Sequence, residues 1–180
     1  MKGIVFTEFL EMVEEKFGYA VVDDIISKSE LPSNGSYTSV GTYSSHEMIQ
    51  LVQNLHINSG IPLNVLYEVF GEYLFGSLSR AYGQMFDGIT SSFDMFLAID
   101  QNIHVQVKKL YPDAELPRFD VNLIDENNLK MLYWSERKMG DLAVGLIKGC
   151  LAHYKEQATI SKNLLSEDGK SVEFIITKTK

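Results

Sequence analysis

The sequence predicts an α+β fold: a helical part over the first two thirds of the chain, followed by a β-β-α-β-β antiparallel-sheet part, within one domain. Three observations lead there. Apolar residues recur at helical spacing through the first two thirds of the chain. After Leu116-Pro117-Arg118 the apolar period falls from about 3.6 to about 2. Two pairs of alternating segments then follow, each pair joined by a polar turn, with one helical stretch between them.

The elements follow in order. Val5, Phe6, Phe9, Leu10, Val13 and Phe17 form one helical stripe, and Gly18 stops it. A short helix is expected over about 21–26, and the Pro-, Gly- and Ser-rich stretch 31–41 is loop. Ser44 and Glu47 have the spacing of a capping box, opening a helix that carries Ile49, Val52 and Leu55 as far as Gly60. Pro62 suits the first turn of the next helix, where its missing N–H is no loss. That helix runs to about Tyr82 with Gly71 and Gly76 inside it. An interior glycine costs about 1 kcal/mol against alanine, so close packing against this backbone is expected.

Ser91 or Ser92 can cap a further helix, which Tyr111-Pro112 ends, since proline disfavours helix in the residue before it. Phe93, Leu97, Asp100, His104 and Val107 fall on one stripe of it. "FDVNLI", the turn 125–128 and "LKMLYWSE" make the first hairpin. The stretch 139–156 is helical with Leu142, Leu146 and Cys150 on one face. "ATISKNLL", "SEDGK" and "SVEFIITKT" make the second hairpin.

Composition narrows the function classes. The chain is 45% hydrophobic, enough for a core, and carries a formal net charge of −8. Such a balance argues against nucleic acid or an anionic membrane surface as partner. One cysteine, Cys150, allows neither an internal disulfide nor a cysteine-cluster metal site. The N-terminus turns acidic by Glu8, too early for a signal peptide, and no apolar run reaches spanning length. A cytoplasmic protein is expected. No His-Glu-x-x-His pair, Gly-rich phosphate loop or Gly-x-Ser-x-Gly elbow is present, so an enzyme is not expected.

Two places remain that could carry chemistry. His104 sits on an apolar helical stripe. It is either a core histidine or a neutral imidazole able to bind a haem iron in a dry pocket. Asp100, one turn earlier, either orients that ring or is a solvated charge. Tyr133, Ser135 and Arg137 alternate after Leu129 and Met131, so in an extended chain one face passes from apolar to donor-rich. An arginine fork and two hydroxyls suit a carboxylate, and a haem has an apolar macrocycle with two propionates at one edge. A strand end in plain solvent would give the same three-residue pattern.

Taken together, these segments resemble the H-NOX family, the haem nitric oxide/oxygen-binding domains related to the haem domain of soluble guanylate cyclase. The resemblance runs from "MKGIV" through "EVFGEYL" (68–74), "IHVQVKKLYP" (103–112) and "LPR" (116–118) to "YWSERKMGDLAVGLIKG" (133–149). It implies a single 1–180 haem-binding domain with non-covalent haem b between a distal helical subdomain, about 1–60, and a proximal subdomain, about 61–180. It implies His104 as the axial ligand of Fe(II) and Tyr133, Ser135 and Arg137 as the propionate clamp. Pro117, thirteen residues after His104, would press on the macrocycle. Val5, Phe9, Leu74, Leu142 and Leu146 would form the distal pocket. Relatives that bind O₂ have a tyrosine at the position of Leu142, a tryptophan at that of Phe9 and an asparagine at that of Leu74. The resemblance therefore implies a bacterial sensor that binds NO and CO and excludes O₂. By the same likeness its protein partner would be a histidine kinase or an enzyme that makes or degrades cyclic di-GMP. A different class stays open: a non-haem module for another acidic apolar ligand, such as a fatty acid. A haem enzyme is a third reading, with no distal acid or base to move protons.

Overall fold

A computed structural model describes residues 1–179. Helices α1 (Gly3–Phe17), α2 (Tyr19–Ser27), α3 (Ser45–Ser59) and α4 (Leu63–Ala81) come first. A 3₁₀ turn (Gly83–Phe86), α5 (Ser92–Ala98), a π turn (Ile99–Ile103) and α6 (His104–Leu110) follow. Strands β1 (Arg118–Leu123) and β2 (Asn128–Trp134), helix α7 (Gly140–His153), and strands β3 (Ala158–Leu164) and β4 (Ser171–Lys178) complete the β-β-α-β-β order. The two hairpins join edge to edge in one antiparallel sheet of order β1-β2-β4-β3, with Met131 opposite Phe174. Among the described residues no helix is long and apolar enough to cross a membrane.

The strand alternation explains where α7 sits. Leu129, Met131 and Tyr133 on β2 and Val172, Phe174 and Ile176 on β4 are all buried. They form one apolar cluster with Ala143, Val144, Ile147 and Cys150 of α7. A second cluster gathers Phe6, Phe9, Met12, Leu51, Leu55, Phe70 and Leu74 from α1, α3 and α4. Helices α4 and α7 contribute to both clusters, because each has apolar residues on more than one side.

Glycines let α4 and α7 meet at backbone distance. A Cβ at Gly145 would lie 2.1 Å from the Glu68 carbonyl oxygen, and one at Gly71 would lie 2.4 Å from that of Leu142. The expectation of close packing thus holds at Gly71. It does not hold at Gly76, where an added Cβ would meet only the Arg80 guanidinium at 3.4 Å.

Four local expectations change. Ser44 caps α3, its hydroxyl accepting from the His46 amide at 3.2 Å. Glu47 does not complete the box: its Oε2 accepts from the Ser33 hydroxyl at 2.5 Å and the Tyr37 hydroxyl at 3.0 Å, pinning the 31–41 loop. Pro62 stands one place earlier than expected, as the cap of α4 with ψ 144°. The expected single helix over about 92–110 is broken by the π turn, in which the His104 amide donates to the Ile99 carbonyl five residues back. The wider turn shifts the register of the residues that follow it, from His104 onward, relative to those of α5. Within α5 itself, before that turn, Phe93 is 5% exposed while Leu97, expected on the same stripe, is 42% exposed. The strand expected to continue through Tyr133, Ser135 and Arg137 ends at Trp134, and the chain turns with Lys138 at φ 56°.

Candidate functional site

A cavity of ≈ 330 Å³ lies where the two apolar clusters meet, and its lining is overwhelmingly apolar. Val5 of α1, Leu74 and Leu78 of α4, and Leu142 and Leu146 of α7 make one wall. A second wall comes from the α5–α6 segment and the sheet: Ile103, His104 and Val107, with Pro117, Phe119 and Met131. Tyr133, Ser135 and Arg137 also line it. Of the residues expected at a site, only Phe9 is absent from the lining. It is fully buried behind the first wall, its ring packed edge-on at 5.1 Å from that of Phe70.

His104 is the first residue of α6, directly after the π turn. Its Nδ1 lies 2.7 Å from Asp100 Oδ1, and Asp100 Oδ2 accepts from the Phe119 amide at 2.9 Å. Asp100 therefore orients the ring and is itself held by β1, which settles the choice left open between an orienting partner and a solvated charge. Burial holds the imidazole below its ordinary value, against the upward pull of Asp100. A neutral ring with Nδ1–H donating to a carboxylate keeps its lone pair on Nε2. Nε2 makes no hydrogen bond among the described residues, in a side chain that is 18% exposed and lines the cavity.

The donors reach the cavity by two routes. Tyr133 does so from β2 by strand alternation, and burial pushes its phenol up, so it keeps its proton and can donate. Ser135 is 6% exposed, and its hydroxyl oxygen accepts from the Arg137 amide at 3.2 Å, leaving the hydroxyl proton available. Arg137 arrives from the turn rather than from the strand. Its Nη1 donates to the Glu115 carbonyl at 2.7 Å and its Nη2 to the Glu115 carboxylate at 2.8 Å.

Sequence reasoning missed Glu115, Tyr111 and Phe119; of the nearby tyrosines it considered Tyr73 and Tyr82, and placed neither at the distal donor position. Tyr82 and Tyr111 line the cavity with their hydroxyls 2.9 Å apart. The Tyr82–Tyr111 contact and the Arg137–Glu115 pair each join residues more than twenty positions apart, which no local spacing encodes. Tyr73, by contrast, faces away and donates to Glu15 at 3.1 Å. Cys150 lines the cavity as a buried thiol, and burial pushes its pKa up, so it is a neutral wall residue.

The donor set has a definite chemistry. Among the described residues no group of three or more His, Cys, Asp or Glu could hold a metal ion. His104 can thus supply one ligand only, and a metal here must come with most of its ligands on a group of its own. An apolar cavity, one uncommitted imidazole nitrogen, and a guanidinium with two hydroxyls fit a flat apolar metal chelate bearing carboxylates.

Comparisons with known proteins agree. A family model described as haem-NO-binding matches residues 2–162. The chain is 43% identical to an H-NOX protein from K. algicida, solved in the Fe(II) unliganded state, covering 100% of this chain and 97% of that one with a TM-score of 0.95. It is 39% identical to an H-NOX from Shewanella woodyi, solved with IWP-051 in the Fe(II)CO state, covering 99% and 95% with a TM-score of 0.84. It is 26% identical to an H-NOX protein from S. oneidensis in the Fe(II)NO state, covering 100% of both chains with a TM-score of 0.93. None of the curated proteins matches.

Proposed function

Because this chain belongs to the haem-NO-binding, or H-NOX, family, whose members are haem-based gas sensors and not catalysts, we propose that it senses nitric oxide and rejects oxygen. The observation that carries the reading is the His104–Asp100–Phe119 relay beside a cavity wall without a hydrogen-bond donor at Val5, Leu74, Leu142 and Leu146. Haem b, when bound, supplies an iron with an open position for a diatomic gas.

The chain's own residues do the rest. His104 Nε2 would hold the iron, its ring kept neutral by burial and in one tautomer by Asp100. Tyr133, Ser135 and Arg137, with two hydroxyls and a cation in the cavity lining, would hold the propionates. Pro117, from its place in the cavity lining, would contact the macrocycle. Bound O₂ carries partial negative charge and needs a donor, whereas NO and CO need one far less. A wall of Val5, Leu74, Leu142 and Leu146, with buried Phe9 behind it, excludes water and offers no proton. The Tyr82 and Tyr111 hydroxyls share one hydrogen bond, which uses one of their two protons, and neither residue is among the four that form this wall.

Any pull on His104 is passed by Asp100 to the β1 backbone and along α6, since one carboxylate holds both. That is a local event acting on a packed element with alternative arrangements. The output goes to a separate partner in the cytoplasm, a histidine kinase or a cyclic di-GMP synthase or phosphodiesterase. The helical elements to about residue 60 act as the distal subdomain and the remainder as the proximal one. A non-haem role, binding another acidic apolar molecule, predicts colourless protein.

The test is an absorption spectrum. Ferrous protein should show a haem band that shifts with NO and with CO and forms no stable oxygen complex in air. His104→Gly should lose haem or its five-coordinate spectrum, and added imidazole should partly restore it. A lasting oxy-ferrous spectrum in air, or wild-type spectra from His104→Gly without imidazole, would overturn the reading.

A further inference from the structure

The Arg137–Glu115 pair is lopsided. The Arg137 side chain is 15% exposed and that of Glu115 is 84% exposed. A mostly buried guanidinium needs an anion, and here the anion comes from a carboxylate that stands in water. Both terminal nitrogens of the fork are engaged by Glu115, Nη1 on its backbone oxygen at 2.7 Å and Nη2 on its side chain at 2.8 Å. That end of the fork is the edge a second carboxylate would take in two-point fashion.

We propose that Glu115 competes with the ligand's carboxylates for the Arg137 guanidinium and so sets how fast the site releases haem. The inference rests on the haem reading above. The two contacts of Glu115 have different parts in it. The backbone oxygen positions Arg137 and belongs to the main chain, two residues before Pro117 of the cavity wall. The exposed carboxylate can swing into water at little cost. Two anions on one guanidinium repel, so each weakens the hold of the other, and the coupling is reciprocal. Glu115 is then a brake on affinity within a clamp otherwise built for attraction. It is a positioning and tuning residue and not a ligand.

The experiment follows haem transfer from the loaded full-length chain to excess apomyoglobin. Glu115→Gln keeps the side chain's size and removes its charge. It should slow transfer roughly two- to five-fold, the range of a single exposed ion pair. Glu115→Asp keeps the charge and should transfer at nearly the wild-type rate. Salt supplies a readout that a merely structural role would not move. In the wild type, screening weakens attraction and repulsion together. In Glu115→Gln only attraction is left to screen, so its transfer rate should rise more steeply with ionic strength. Transfer from Glu115→Gln as fast as from wild type, or equal salt slopes, overturns the inference while leaving the haem reading intact. A wild-type chain that takes up no haem overturns both.

Discussion

The two walls of the cavity are built on different physics. The α1–α4–α7 wall is closed by contact: Leu74 and Leu142 are 3% and 8% exposed, and behind them Gly145 and Gly71 bring two helix backbones together. The His104 wall is closed by hydrogen bonds: Asp100 holds both His104 and the Phe119 amide, and a π turn lies immediately before the histidine. Close-packed backbone has one arrangement and resists any other. A hydrogen-bonded relay next to an irregular turn can change partners at modest cost. The contrast suits a device in which one wall screens the ligand and the other reports on it.

Breaking the packed wall should have the largest effect. Gly145→Ala puts a methyl 2.1 Å from a backbone oxygen, where no side-chain rotation can relieve it. The expected loss is about 3 kcal/mol, the upper end of the usual cost of overpacking. A denaturant titration with and without haem measures it, and failure to accumulate folded protein counts as the extreme of the same outcome. Wild-type stability would mean that α4 and α7 separate freely and that the first wall is not rigid.

How much of this contrast the sequence reveals depends on the range of the interaction. The β-β-α-β-β order, the His104 position and the Tyr133 side of the donor row are local patterns, written in spacings of two to four residues. Gly71 could be suspected from its cost inside a helix, but its partner Gly145 lies on a distant segment and gives no such hint. The π turn leaves no mark in the apolar pattern, since His104 falls on the same 3.6-residue stripe as Phe93, and only the backbone shows the wider turn between them. Arg137 lines the cavity with Tyr133 and Ser135, but a turn and not strand alternation brings it there. Phe9 belongs to the right cluster but stands one layer behind the surface.

The relay wall should give a smaller stability change and a larger functional one. Asp100→Asn preserves shape, and its amide oxygen can still accept from the Phe119 amide. Its NH₂ then faces His104 Nδ1, where a donor can meet only an acceptor. The imidazole must move its proton to Nε2, and the lone pair that the cavity needs is lost. We expect about 1 kcal/mol of lost stability, the net value of one hydrogen bond. Haem affinity should fall roughly 10- to 100-fold, as for other partners that orient a ligating histidine. Unfolding and haem-transfer measurements on the same samples separate the two numbers. If both change in the same small proportion, Asp100 is a structural cap and the relay does not exist.

The smallest expected effect isolates what glycine does in the packed wall. Gly76 lies on α4 as Gly71 does, yet an added Cβ there meets only the far end of the Arg80 side chain, at 3.4 Å. Nothing in its surroundings requires a missing side chain, and its helical backbone is one that alanine adopts without strain. Gly76→Ala should therefore stabilise the chain by about 0.5–1 kcal/mol, through the reduced freedom of the unfolded state. The thermal midpoint should rise slightly while the NO and CO spectra stay unchanged, since Gly76 does not line the cavity. A destabilised Gly76→Ala, comparable to Gly145→Ala, would show that α4 needs suppleness along its length. The stiffness of the first wall could not then be assigned to the Gly71–Gly145 contact. A small gain at Gly76 beside a large loss at Gly145 would locate that stiffness in the one place where the two backbones touch.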